Sequence, residues 1–380
     1  MNIKVEPTII KWAFERSGKD EAILKKFPKI DKWISGDLLP TLKQLEQYAK
    51  TTSTPFGYFF LKKPPTEDIP IPHYRTLNDL APEKHTPELI DTLHTMQRRQ
   101  EFIKEYLNDQ LGTNNALVNI YKGNSEEELA EGLKKVLNLN DDWATQFTRV
   151  EDALKLLISK CEKNYITVMV NGIVGNNTHR KLDVMEFRGF VLKDEIAPLI
   201  FINGADSKNA QIFTLVHELF HLMVGSSAIV TASPINDVDS KIEKLCNGAA
   251  ANFLCPKAYF IPLWFENERE ENRLNILSRT LKVSEIVVAR RALELELINK
   301  ESFFEFYNEY TESIKSLKPS SSGGDFYATT KSRLGNLFTR AIIYSTESKK
   351  IQYSEAYRLT GMKSDTYHKY IHYIERQGEY

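Results

Sequence analysis

The stretch TLVHELFHLMVG, residues 214–225, sets His217, Glu218 and His221 into a pattern that otherwise reads as a buried, apolar helix. Imidazole can be buried neutral, whereas an ionised carboxylate in such a place needs a partner. Residues four apart share a helix face, so one nitrogen of His217 and one of His221 can reach a single metal ion. Zinc binds imidazole nitrogen at about 2.0–2.1 Å, and a catalytic zinc keeps one of its four positions for water. Glu218, beside the first histidine, then stands where a general base must stand to take that water's proton, while the same ion polarises the carbonyl under attack. This is peptide-bond hydrolysis as His-Glu-x-x-His enzymes perform it. Chance yields the pattern at roughly 0.01–0.02 in a chain of this length and composition, so an ordinary core helix is a poor account of it.

The third ligand must come from another element. A metzincin would carry Gly and His where Val224 and Ser227 stand, which excludes that class. The segment IEKLCNGAAANFLCP, residues 242–256, offers Glu243, and Asn247 lies one turn later on the same face, where it could brace an imidazole by its second nitrogen. Glu243 has a competing role, because Ser240 and Glu243 also have capping-box spacing, in which the glutamate folds back onto its own helix terminus. Asp237 and Asp239 are rival ligands from the preceding loop. For stabilising an oxyanion the sequence offers Tyr259, Arg188 and His179, each with an ordinary structural role as its alternative.

Elements that could position this site are legible around it. YITVMV (165–170), FRGFVL (187–192) and PLIFIN (198–203) are rich in β-branched and aromatic residues and predict three strands of one sheet. The motif helix should follow the last of them, capped by Asp206 or Ser207 and ended by Gly225. An exposed edge at FRGFVL could take a substrate chain as an added strand. Further helices are expected over 86–112, from the Ser125–Glu128 capping box onward, over 149–163, 240–254, 270–281 and 284–297. Residues 1–61 read as short helices. The segment 62–75, with Pro64, Pro65, Pro70 and Pro72, reads as an extended linker. Ser320 to Gly324 reads as a flexible joint before a Tyr-rich helical tail.

Lys+Arg 50 against Asp+Glu 51 leaves a net charge of −1, so no global field draws the chain to nucleic acid or to an anionic membrane. The opening MNIKVEPTIIKWAF lacks a short apolar run followed by a small-residue cleavage site, so a secretory signal is not expected, and the apolar run 212–230 is interrupted by the motif, which argues against a membrane span. Cys161, Cys246 and Cys255 show no CxxC spacing and are too few for a disulfide framework. Cytoplasm is the expected location.

FRGFVL, APLIFIN, FTLVHELFHL, IEKLCNGAAANFLCP and LKVSEIVVARRAL together resemble the ImmA/IrrE-type metallo-endopeptidases of bacteria and their mobile elements. PTLKQLEQYAKTTSTPFGYFFLKKPP followed by HYRT is similar to the subgroup with an N-terminal Xre-like helix-turn-helix. GGDFYATTKSRLGNLFTRAI with YSEAYRLTGMKSDTYHKY is similar to that subgroup's C-terminal segment. The resemblance implies one Zn2+ per chain, held by His217, His221 and Glu243, with Glu218 as the catalytic carboxylate. It implies a protein partner, a transcriptional repressor or antitoxin-like regulator that is cut in stress response, mobile-element control or phage defence. Relatives also act as toxins of toxin–antitoxin pairs, and a non-catalytic regulator with a structural metal is the third alternative.

The N-terminal module departs from a working DNA reader. Only fourteen residues separate Gly18 from Trp33, too few for a helix, a turn and a full recognition helix. Its ten Lys+Arg and seven Asp+Glu make a modest footprint, and protein docking is favoured over DNA binding. The expected fold is α+β and mostly helical: a zincin-like metalloprotease core, its small sheet of at least three strands packed on the motif helix, flanked by small helical modules. Its parts are residues 1–61 (Xre-like module), 62–85 (linker), 86–300 (metallopeptidase domain with a helical insertion) and 301–380 (helical C-terminal segment).

Overall fold

A computed structural model describes residues 2–67, 85–110, 112, 115–121, 125–225, 237–316 and 325–378, with the backbone only at 237–240, 311 and 313–316. Most of the expected linker, including HYRT, lies outside the described residues, as do Ser227, the 320–324 joint and the side chains of Asp237, Asp239 and Ser240.

The first module holds α1 (Pro7–Ser17), α2 (Asp20–Lys26), α3 (Ile30–Ile34), α4 (Leu42–Thr51) and a 3₁₀ turn, Phe56–Phe60. Proline at the first position of α1 costs no hydrogen bond, and Gly18 ends the helix at φ 59. Thr41 and Gln44 close a reciprocal capping box on α4. Tyr48 is buried among Phe27, Trp33 and Phe59, and its hydroxyl donates to the Ile10 carbonyl at 2.8 Å. Between α1 and α4 the helices run only seven and five residues, as the short interval predicts.

Next come α5 (Pro87–Gln110), α6 (Glu126–Leu137) and α7 (Val150–Lys163), then β1 (Thr167–Asn171), β2 (Ile173–Val174), β3 (Asn177–Lys181), β4 (Gly189–Leu192) and β5 (Leu199–Asn203). The strand β5 is central in the larger sheet, parallel to β1 and antiparallel to β4. The hairpin of β2 and β3 forms a separate two-stranded sheet that is not among the three strands expected from the sequence.

Every residue of β1, β4 and β5 is buried, because both faces of the sheet are covered and alternation therefore disappears. Along β5, Ile200 and Ile202 enter one core while Leu199 and Phe201 enter another. The first core is completed by α6, α7, α8 (Lys208–Val224), α9 (Asp237–Leu254), α10 (Lys257–Glu266), α11 (Arg273–Leu281) and α12 (Glu285–Glu294). After α13 (Lys300–Ser316), which leans on α12, the chain forms α14 (Phe326–Leu334), α15 (Asn336–Glu347), α16 (Tyr353–Thr360) and α17 (Ser364–Gln377).

These last four helices and α5 build the second core. The tail is therefore a layer of the sheet's own body, which corrects the expectation of a flanking module there. Its amphipathic faces were readable, but what they cover is decided by the back of a sheet more than a hundred residues earlier. The buried guanidinium of Arg99 on α5 ties this layer together, donating to the carbonyls of Leu359 and Arg333 at 3.0 and 3.3 Å. No helix among the described residues is long and apolar enough to cross a membrane.

Candidate metal centre

The motif helix α8 is fixed at both ends. Ser207 caps it by accepting the Ala210 N–H at 3.3 Å, and Gly225 closes it at φ 79, a left-handed turn that costs glycine little. Between the caps, Ile212, Leu215, Val216, Leu219 and Leu222 are buried, and α8 lies against β4 and β5. Such packing leaves the motif side chains little rotational freedom. His217, Glu218 and His221 are themselves fully buried.

The second element is α9, packed along α8 through Cys246, Ala249, Ala250 and Phe253. Small side chains let the two helices approach closely. That approach sets Glu243 Oε1 at 3.1 Å from His221 Nε2 and Oε2 at 3.5 Å from His217 Nε2. The two Nε2 atoms are 2.9 Å apart, and one ligand atom from each of the three residues falls within a 4.8 Å span. Because α9 begins at Asp237, Ser240 lies inside the helix and not at its cap. Glu243 is thereby released from the capping box that its sequence position permits.

The donor set fits a zinc ion. Four ligands at about 2.0–2.1 Å in a tetrahedron stand roughly 3.3 Å from one another, and the observed separations of 2.9, 3.1 and 3.5 Å bracket that value. Two imidazoles and one carboxylate are also the ligand types that a zinc with one open position takes. Burial by itself would raise the Glu243 carboxyl, but hydrogen bonds and charge from His217 and His221 bring it down to about 2, the ionised form that a ligand requires.

Glu218 sits under the sheet edge. A Cβ at Gly189 would lie 2.5 Å from Thr214 Cγ2, 2.8 Å from the Phe201 carbonyl oxygen and 3.8 Å from Glu218 Oε1. Glycine at that point lets β4 pass directly over the carboxylate, with its outer edge carrying no strand among the described residues.

A cavity of about 730 Å³ opens one helical turn from the three candidate ligands, none of which lines it, between α8, α9, α12 and the first turn of α6. Phe213, one turn before His217, and Asn247, one turn after Glu243, both line it. Asn247 was expected to brace an imidazole. No hydrogen bond among the described residues links it to either one, since four residues carry it about 6 Å further along α9. Of the three oxyanion candidates, Arg188 borders the cavity, with Nε 3.6 Å from Asp206. His179 is exposed on β3, and Tyr259 packs half-buried against the core.

The three cysteines are buried and free. Burial, then the charges of Glu243 and Glu218, push the Cys246 thiol well above its usual value, as suits a core residue and not a thiolate ligand. Sequence reading missed Gly189, Phe213 and Lys244. Gly189 alone carried a signal, a glycine inside a strand pattern.

Residues 175–293, from the β2–β3 turn through α12, match a peptidase-family model described as the IrrE N-terminal-like domain. Residues 334–373, most of the tail layer, match a domain of unknown function. A search of curated proteins found no match. Among solved structures, a Mycobacterium tuberculosis transcriptional regulator aligns at 15% identity and a TM-score of 0.31. The alignment covers 51% of each chain, so this chain spans about half of that one. Residues 175–293 thus carry an IrrE N-terminal-like domain of the ImmA/IrrE peptidase family.

Proposed function

We propose that this protein is a cytoplasmic zinc endopeptidase that hydrolyses a peptide bond in a specific regulatory protein, with a zincin-like core formed by the sheet, α8 and α9. The observation that carries the reading is the convergence of His217, His221 and Glu243 beside the buried Glu218. His217, His221 and Glu243 would hold the zinc. When bound, zinc supplies Lewis acidity, which lowers the pKa of water and polarises a peptide carbonyl.

The remaining work falls to this chain's own side chains and backbone. Glu218 accepts the proton of the attacking water and delivers it to the departing amine, so the carboxylate is regenerated with each turnover. The open edge of β4 pairs with an extended substrate through main-chain hydrogen bonds. Its position over Glu218 brings the scissile bond to the carboxylate. The buried faces of α8 and α9 exclude bulk water and fix the ligand geometry before substrate arrives.

The partner that fits this reading is a protein with an extended, accessible segment, such as a repressor or an antitoxin-like regulator. Metal content of the purified protein, measured beside cleavage of proteins encoded next to its gene, tests it. The expected result is about one zinc per chain, retained in Glu218→Gln with cleavage abolished, and lost in His217→Ala and Glu243→Ala. Cleavage undiminished in Glu218→Gln would overturn the mechanism. Zinc retention with biological activity untouched by that substitution would identify a regulator whose metal only holds the fold. Growth arrest on expression, abolished in His217→Ala, would mark the toxin alternative.

A further inference from the structure

We infer that the cavity beside the metal centre selects an acidic side chain of the substrate, close to the bond that is cut, and that Arg188 and Lys244 read it. The inference rests on the peptidase reading and names the class of sequence it acts on.

Position comes first. Phe213 lies one turn from His217 on α8, with ring centroids 6.3 Å apart, and Lys244 directly follows the ligand Glu243. Arg188 immediately precedes Gly189, which passes over Glu218. Both cations are thus chain neighbours of residues at the metal centre, while His217, Glu218, His221 and Glu243 are not themselves in the cavity wall. Ala210 and Ala251 contribute only small side chains to the wall.

The charges in the wall decide its sign. It carries five cations, Arg188, Lys244, Lys257, Arg290 and Arg291, against three carboxylates, Glu126, Glu127 and Glu294, and Glu294 pairs with Arg290 and Arg291 at 3.5 and 3.3 Å. Arg291 also donates to the Cys255 carbonyl at 3.0 Å and to Asn252 at 2.5 Å.

Arg188 is held by a single ion pair, and Lys244 is exposed. Arg188 Nε makes no hydrogen bond within the described structure and only approaches Asp206 at 3.6 Å. Lys244 has no carboxylate of a described residue at ion-pair distance. A substrate carboxylate entering there meets a wall with more cations than carboxylates, with Lys244 and the hydrogen-bond donors of Arg188 facing it, in a partly enclosed space where charge-assisted hydrogen bonds are strong. A lysine or arginine in the same place meets repulsion, so discrimination works in both directions.

The test reads binding separately from cleavage. Full-length Glu218→Gln protein, loaded with zinc and immobilised, is panned with a random octapeptide library, and the recovered peptides are sequenced. The expected outcome is an enrichment of Asp or Glu at one position on the order of tenfold. Lys244→Glu and Arg188→Gln, each added to the same background, should weaken it, and the two together should turn the preference toward Lys or Arg. Matching circular dichroism and zinc content show that each variant is folded. Recovery without a charge preference, or a preference indifferent to these substitutions, overturns the inference. If the native protein cuts none of the proteins encoded next to its gene while the preference for acids persists, the peptidase reading falls and the cavity assignment stands.

Discussion

Gly189 shows how much a single missing side chain can position. Any Cβ there would press into Thr214 and the Phe201 carbonyl. Gly189→Val should therefore lower stability by about 1–3 kcal/mol, seen as a fall in the urea midpoint. It should reduce cleavage further by lifting β4 away from Glu218. Gly57→Ala, with nothing within 4 Å of the added carbon, is the matched control and should leave both unchanged. At this scale the motif was fully legible, because the spacing of His217, Glu218 and His221 is local to one helix. Glu243 was legible only as one of two readings, since its rival role depended on where α9 begins. Arg188, Lys244 and Phe213 were not legible as a group, because they meet only through the way β4, α8 and α9 pack.

At the scale of elements, two buried charges hold the tail layer in place. Glu162, at the end of α7, accepts the N–H groups of Asn336 and Leu337 at 2.6 and 3.2 Å, so a carboxylate caps the first turn of α15. Burial raises its pKa, offset in part by those same bonds. Arg99 acts at the opposite helix ends, where its guanidinium meets carbonyls in the last turns of α14 and α16. Arg99→Ala should cost roughly 2–4 kcal/mol, through a lost side chain and a buried and a partly buried carbonyl left without a donor. A drop in the urea midpoint with the zinc content unchanged would confirm that the damage stays in the tail layer. The strands of the larger sheet were readable as apolar runs, and α5 and α8 from their patterns and caps. The β2–β3 hairpin was not, because NGIVGNNTHRK has an exposed polar second strand. Helix α10 was hidden by Pro256 before it and Pro262 within it, both of which argue locally for a break.

For the whole molecule, the N-terminal module has a core of its own and meets the rest through charge. Lys19 reaches Glu88 of α5 at 3.2 Å, Arg180 of β3 meets the same carboxylate at 3.2 Å, and Arg180 also pairs with Asp91 at 2.7 Å. Burial alone would raise the Glu88 carboxyl, but Lys19 and Arg180 outweigh it and bring it below the usual value. A carboxylate lowered on folding contributes stability above its unfolded pKa, about 4.3, and loses that contribution as the pH falls through its folded value. Wild type should therefore lose more stability than Glu88→Gln between pH 7 and pH 3, which denaturation at the two pH values measures. The two-sided sheet has a consequence for synthesis. Both α5 and β5 are made early, but the core that Phe187, Phe190 and Phe201 share is complete only when α14 to α17 arrive. At ~5–20 residues per second on the ribosome, that face waits roughly ten to thirty-five seconds for its lid. Through that interval the nascent chain presents a row of phenylalanines to whatever holds unfinished proteins apart.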